Sequence, residues 1–195
     1  MSNARRFIIP AFFALAAGCT RDSEHTAVSD TSKTTTSARP DTLVASPATL
    51  TVNERGIGPL QAGMTVAEAA AAMSGALVLP SGTDTAGCAY VKWSGGPPGV
   101  RVMLESGRIA RVDVDTLGTA TVAGAQVGDT EERLLSLYNG RTAVRPHKYE
   151  QGAHYVTVLD NADTTFALVF ETVGGRVTRY RAGHRPQVEY VEGCG

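Results

Sequence analysis

Two stretches of the chain have apolar residues at helical spacing, and each begins at a threonine that follows a glycine by two positions. Residues 63–75 and 128–140 align without a gap. In each, threonine stands at the cap position, helix-favouring residues follow, and a polar residue with a glycine ends the stretch. Thr65 and Glu68 predict a capping box, whereas Arg133 takes the corresponding place after Thr130. The predicted inward faces are Val66, Ala69, Ala70 and Met73 in the first helix, and Leu134, Leu137 and Tyr138 in the second.

Each predicted helix is followed by segments in which apolar and polar residues alternate, as they do in β-strands. Residues 102–112 and 168–180 each indicate a strand, a tight glycine turn and a second strand. One more strand is predicted before each hairpin, over residues 88–93 and 154–159. The pattern therefore predicts an α+β fold of two tandem repeats, each a helix and three antiparallel strands. They would form one domain over residues 49–195, with repeat 1 at 49–120 and repeat 2 at 121–195.

The N-terminal eighteen residues have the pattern of a cleaved leader. Arg5 and Arg6 precede a short apolar run, which is too short for a membrane-spanning helix and ends in small residues before Cys19. Leu15-Ala-Ala-Gly-Cys19 resembles the lipobox of bacterial lipoproteins. The resemblance implies a signal peptide over residues 1–18 and attachment of Cys19 to the bilayer by acyl chains such as palmitate. The alternative is an ordinary secreted protein in which Cys19 forms a disulfide.

Residues 19–48 are rich in Thr, Ser, Ala and Asp and contain few large apolar residues. Such a segment buries too little apolar surface to fold, so it is interpreted as a disordered tether. By analogy with lipoproteins, Thr20 in place of aspartate favours the outer membrane, with the domain facing the periplasm. The formal net charge of −1 argues against a nucleic-acid partner. Seven basic residues make the last third of the chain locally basic and are interpreted mostly as solvated strand residues: Arg141, Arg145, Lys148, Arg176, Arg179, Arg181 and Arg185.

Two cysteines remain if Cys19 carries lipid. In an oxidising compartment Cys88 and Cys194 most simply form one disulfide, which would stabilise the fold by about 4 kcal/mol through loop closure. A metal-binding or catalytic thiol pair is the alternative, although neither cysteine has a second cysteine or histidine at ligand spacing.

Residues 56–65, Gly-Ile-Gly-Pro-Leu-Gln-Ala-Gly-Met-Thr, resemble the lead-in to the first helix of small envelope lipoproteins and of the beta-lactamase inhibitory protein fold. That fold is a tandem repeat of helical elements, each backed by a small antiparallel sheet. A small lipoprotein of the outer-membrane assembly machine has the same unit in single copy. The resemblance implies a domain that binds another protein through its sheet surface and loops.

No enzyme motif or cofactor fingerprint occurs in the sequence, so neither catalysis nor a cofactor is predicted. The strongest candidate residues for chemistry are His147, Tyr149, His154 and Tyr155, because a turn between the histidines would bring them together across a hairpin. They are interpreted as strand residues or as part of a partner-binding site rather than as a metal or catalytic site. Trp93 is the other candidate for partner binding, with packing in the core as its alternative. The carboxylates of Asp113 and Asp115 are interpreted as a solvated strand face.

The sequence therefore predicts a lipid-anchored envelope protein with a non-catalytic, inhibitor-like or protein-binding domain and an unknown envelope protein as its partner. A structural accessory of outer-membrane assembly is the second hypothesis. A hydrolase that uses His147 and His154 is the third.

Overall fold

The computed structural model describes residues 50–73, 77–159 and 162–194. The predicted signal peptide at 1–18, the lipid-bearing Cys19 and the tether at 19–48 lie outside these described residues. All described residues belong to one compact unit.

Two short helices and twelve strands make up most of the described chain. The helices are α1 (Val66–Ala72) and α2 (Glu131–Tyr138). The strands are β1 (Thr51–Asn53), β2 (Gly56–Ile57), β3 (Leu60–Gln61), β4 (Leu77–Val78), β5 (Cys88–Trp93), β6 (Val100–Glu105), β7 (Arg108–Val114), β8 (Ala120–Thr121), β9 (Thr142–Pro146), β10 (His154–Val158), β11 (Phe166–Val173) and β12 (Arg176–His184). A 3-10 helix over Gln187–Glu189 follows β12.

The strands form two sheets, and the larger is antiparallel throughout. Its eight strands run in the order β4-β5-β6-β7-β12-β11-β10-β9, and the smaller sheet has the order β3-β2-β1-β8. This arrangement confirms the α+β class, although strands dominate. Four strands of the large sheet follow each helix rather than the predicted three, because β4 and β9 pair at its two outer edges. The two-residue β4 is too short to give an alternating pattern.

The apolar core lies between one face of the large sheet and a layer made of both helices and the small sheet. Ala69 from α1 and Leu134 and Tyr138 from α2 are buried in this core, as their spacing predicts. Val66, Met73 and Leu137 pack against it from partly buried positions. The large sheet contributes a set of fully or nearly fully buried side chains: Val102, Leu104, Val112, Val114, Val156, Leu168, Phe170 and Tyr180.

Both helices begin after a capping threonine. At α1, the Thr65 hydroxyl accepts a bond from the Glu68 amide at 3.2 Å and the Glu68 carboxylate accepts one from the Thr65 amide at 2.8 Å, which confirms the capping box. At α2, the Thr130 hydroxyl caps the Arg133 amide without a reciprocal bond. Each helix therefore begins at the threonine that the sequence indicates.

The glycine before each cap is bound to the hairpin of the same unit. The Gly63 amide donates to the Ile109 carbonyl at 2.8 Å, and Arg108 donates to the Gly63 carbonyl at 2.8 Å. The matching contacts of the second unit are Gly128 to Val177 at 2.8 Å and Arg176 to Gly128 at 2.9 Å. Arg108 and Arg176, which donate to these glycine carbonyls, each directly follow the glycine turn of their hairpin.

The two halves of the large sheet join at β7 and β12, where glycine is required. At Gly183, opposite Arg111, φ is 156°, and an added Cβ would lie 2.4 Å from the Ala110 carbonyl oxygen. A side chain at this position would push the central strands apart.

The predicted disulfide is present. Cys88 on β5 is bonded to Cys194, and their Cα atoms are 5.4 Å apart although 106 positions separate them in the sequence. The bond ties the C-terminal end of the described chain to a strand near the edge of the large sheet.

Candidate functional site

The face of the large sheet that is turned away from the helices carries charged side chains. Asp113 on β7 pairs in register with Arg101 on β6 and with Arg181 on β12, so all three point to this side. Glu171 on β11 reaches the same side and contacts Arg181. We call this side of the sheet the polar face.

Four charged residues of the polar face are nearly inaccessible to solvent. The exposed fractions are 3% for Arg111, 7% for Asp113, 3% for Glu171 and 3% for Arg181. The Arg111 guanidinium lies 3.1 Å from both carboxylate oxygens of Asp113, and Arg181 is paired with Glu171. Interpreting Asp113 and Arg181 as solvated strand residues is therefore wrong. Ions so deeply buried are tolerated only when they are paired and hydrogen-bonded.

Residues 185–194, which we call the C-terminal segment, cover these charges. Arg111 donates to the carbonyls of Gln187 at 2.9 Å and Tyr190 at 2.6 Å, and Arg181 donates to that of Val188 at 2.5 Å. The Val188 side chain is fully buried in a second apolar cluster with Tyr155, Ala167 and Val169. The two buried arginines therefore bind the segment through its backbone. The one sequence signal for this cover was the predicted bond from Cys194 to Cys88.

His147 and Tyr155 are adjacent on the polar face. Their rings stack with centroids 4.5 Å apart, and Nε2 of His147 lies 3.5 Å from the Glu171 carboxylate. Nδ1 of His147 accepts bonds from the amides of Tyr149 and Glu150 at 3.2 and 3.1 Å. The histidine is thus oriented by the turn between β9 and β10 and is directed at a buried carboxylate.

His154 lies on the opposite side of the sheet from His147. Its Nδ1 is 3.0 Å from both carboxylate oxygens of Glu131, the first residue of α2. The hairpin pairs His154 with Pro146, so the two histidines are close along the chain but their rings are directed to opposite faces. The structure does not bring them together as the hydrolase hypothesis requires.

Tyr149 is the most exposed of the predicted partner-binding residues, with 59% of its surface accessible. Its hydroxyl and the Lys148 ammonium both bind the Glu192 carboxylate of the C-terminal segment, the latter at 2.9 Å. The bond from Tyr149 and then that from Lys148 hold the pKa of Glu192 below its ordinary value. Trp93 lies in the first half of the sheet, where it is partly buried and packs against the main core.

Tyr149 and His147 line a groove of about 470 Å³ beside the C-terminal segment. Its other walls include Glu171, Val173, Arg179 and Val191. Three of the five predicted partner-binding residues thus lie in or directly beneath one surface, since Tyr155 stacks under His147. Trp93 and His154 lie elsewhere. Arg179, whose side chain is 54% exposed, was interpreted from the sequence only as a solvated strand residue.

The described residues contain no group of three or more His, Cys, Asp or Glu side chains arranged to hold a metal ion. Within the same residues, no helix is long and apolar enough to span a membrane.

Glu131 links α2 to the large sheet by charge. Burial opposes its ionisation, but bonds from Thr172 and His154 outweigh that effect and hold the pKa of Glu131 below its ordinary value of 4.5. Stability from a carboxyl with a lowered folded-state pKa is complete above the unfolded-state pKa and is lost as the pH falls through the folded-state value.

We expect the substitution Glu131→Gln to lower the free energy of unfolding at pH 7 by about 1–2 kcal/mol, because charge-assisted hydrogen bonds are lost. The difference from the wild type should fade as the pH falls below 4.5. Urea unfolding between pH 7 and pH 3 measures it. Glu132→Gln is the matched control, since Glu132 is exposed in the same helical turn. A pH-independent difference would contradict the assignment.

No protein-family model, curated protein or solved structure matches this chain.

Proposed function

We propose that this protein is a lipid-anchored lipoprotein of the bacterial envelope whose folded domain binds an envelope protein without catalysing a reaction. The motif that ends at Cys19 supports the anchor. The anchor would hold the domain at the outer membrane, facing the periplasm, through the tether predicted at residues 19–48.

The domain is further proposed to have arisen by duplication of one helix-and-sheet unit. The aligned helices support this, as do the equivalent contacts of Gly63 with Arg108 and of Gly128 with Arg176. The turns before Arg108 and Arg176 are then equivalent positions of the two units. Counted back from these turns, Met103 of the first unit corresponds to Glu171 of the second. This alignment differs by two residues from the sequence alignment of residues 102–106 with 168–172.

The observation that carries the binding proposal is the groove beside the C-terminal segment. It presents a well-exposed tyrosine and an exposed arginine next to the apolar side chains of Val173 and Val191. Tyrosine and arginine are, together with tryptophan, the residues enriched among those that dominate binding energy at protein interfaces. Glu171 and His147 form its polar floor, and both are already paired with each other and with neighbouring groups. A surface of this kind suits recognition more than chemistry.

The test uses a photo-crosslinking amino acid at position 149 of the full chain in living cells. We expect one specific crosslinked envelope protein, and we expect Tyr149→Ala to weaken its capture by the purified chain about tenfold or more, as for an interface hot spot. The crosslinker at position 132 on α2, on the other side of the molecule, is the control. Equal crosslinking from both positions, or none from position 149, would refute the proposed surface.

The anchor is tested separately by mass spectrometry of the protein purified from membranes. An N-terminal peptide that begins at Cys19 and carries acyl chains is expected. An unmodified Cys19, or one bonded to Cys88 or Cys194, would overturn the anchor.

A further inference from the structure

A second cavity, of about 150 Å³, lies between the polar face and the C-terminal segment. Four arginines line it: Arg101 from β6, Arg111 from β7, and Arg179 and Arg181 from β12. The remaining walls include Asp113, Glu171 and Glu192. The cavity adjoins the groove, because Glu171, Arg179 and Val191 line both.

The two inner arginines are already engaged. Arg111 binds Asp113, two backbone carbonyls and the Tyr90 hydroxyl, and Arg181 binds Glu171 and the Val188 carbonyl. They fix the inner wall of the cavity and hold the C-terminal segment over it.

The two outer arginines retain donor capacity. Arg179 contacts Glu171 through Nε at 3.2 Å, and its two terminal amino groups have no hydrogen-bond partner among the described residues. In the described part of the chain, the carboxylate nearest Arg101 is that of Asp115, at 3.8 Å, beyond hydrogen-bonding distance. A guanidinium has five N–H donors in a planar fork that matches two oxygens of a carboxylate or phosphate. Both outer side chains therefore offer donors to a third group.

The charge in the cavity also favours an anion. Four guanidinium cations face three carboxylates, and one of these, Glu192, is shared with Lys148 outside the cavity. The side chains that line the cavity thus carry more positive than negative charge, part of which Asp115 beside Arg101 offsets. The C-terminal segment shields the cavity partly from solvent, and charge interactions there are stronger than in bulk water.

We infer that this cavity binds a small oxyanion, a carboxylate or phosphate group held between Arg101 and Arg179. An apolar cavity of roughly 150 Å³ accommodates one molecule the size of benzene, so phosphate or acetate fits and an anion as large as citrate does not. The inference goes beyond the proposed protein partner and does not depend on it.

In the test, the disulfide-bonded full chain is titrated separately with inorganic phosphate, acetate and citrate at constant ionic strength. Calorimetry measures the binding of each anion. Phosphate or acetate should bind saturably, and citrate at least tenfold more weakly. Comparison of phosphate with acetate shows which oxyanion the site prefers. Arg101→Gln and Arg179→Gln should each weaken binding about tenfold or more, because a charge-assisted bidentate contact is lost.

Arg133→Gln is the matched control. Arg133 on α2 is also 54% exposed and also binds a carboxylate through Nε at 3.2 Å, yet it lies outside the cavity. The wild-type chain supplies a readout that needs no variant: the Nε–H NMR signals of Arg101 and Arg179 should shift on titration while that of Arg133 stays unchanged. Absence of saturable binding by phosphate and acetate, citrate binding as tight as theirs, or equal weakening in Arg133→Gln would overturn the inference.

Discussion

Removal of the Cys88–Cys194 disulfide by the paired substitutions Cys88→Ala and Cys194→Ala is expected to lower the free energy of unfolding by about 4–5 kcal/mol, the loop-closure value for a loop of roughly 100 residues. The bond joins residues 106 positions apart, so it restricts the unfolded chain strongly. Urea denaturation of oxidised wild type and of the double variant measures the loss. A loss below about 1 kcal/mol would contradict this account.

The same substitutions should also loosen the cover of the polar face. Hydrogen exchange at the amides of Glu189 and Tyr190, which donate within the 3-10 turn, should accelerate more than exchange at β11. The apolar contact of Val188 and the bonds from Arg111 and Arg181 should keep the segment partly in place. Unchanged exchange at both amides would show that these contacts hold the segment without the disulfide.

Replacement of Glu171 by glutamine should destabilise the domain by about 3–5 kcal/mol, because it leaves buried Arg181 without its counter-ion. Glu171 faces Arg181, Arg179 and His147 at once, and 3% of its surface is exposed. The free energy of unfolding of the single variant at pH 7 measures the effect.

A double variant separates charge from packing. Arg181→Met added to Glu171→Gln should restore at least about 1 kcal/mol, because the unpaired cation is removed with its partner. Asp115→Asn is the control, since its pair with Arg101 is exposed and surface pairs contribute about 0–1 kcal/mol. If Glu171→Gln costs no more than Asp115→Asn, the buried pair does not stabilise the fold.

The candidate site was only partly predictable. The sequence grouped His147 and Tyr149 as candidates for partner binding, and both line one groove, because the turn at residues 150–152 that brings them together is a local feature. His154 was grouped with them by proximity along the chain, but alternation along β10 places its side chain on the helix side of the sheet. Arg101, Arg111 and Arg179 come from three strands, and nothing local in the sequence indicates that they surround one cavity.

Local chemistry specified the caps at Thr65 and Thr130, the two glycine-turn hairpins and the apolar helix faces, because each depends on residues only a few positions apart. The disulfide was predicted because Cys88 and Cys194 remain once Cys19 is assigned to the lipid anchor. The order of eight strands, the pairing of β7 with β12 and the burial of Asp113 and Arg181 required the folded molecule. A charged strand residue looks the same in sequence whether water or the C-terminal segment lies above it, and only contacts between distant parts of the chain decide which.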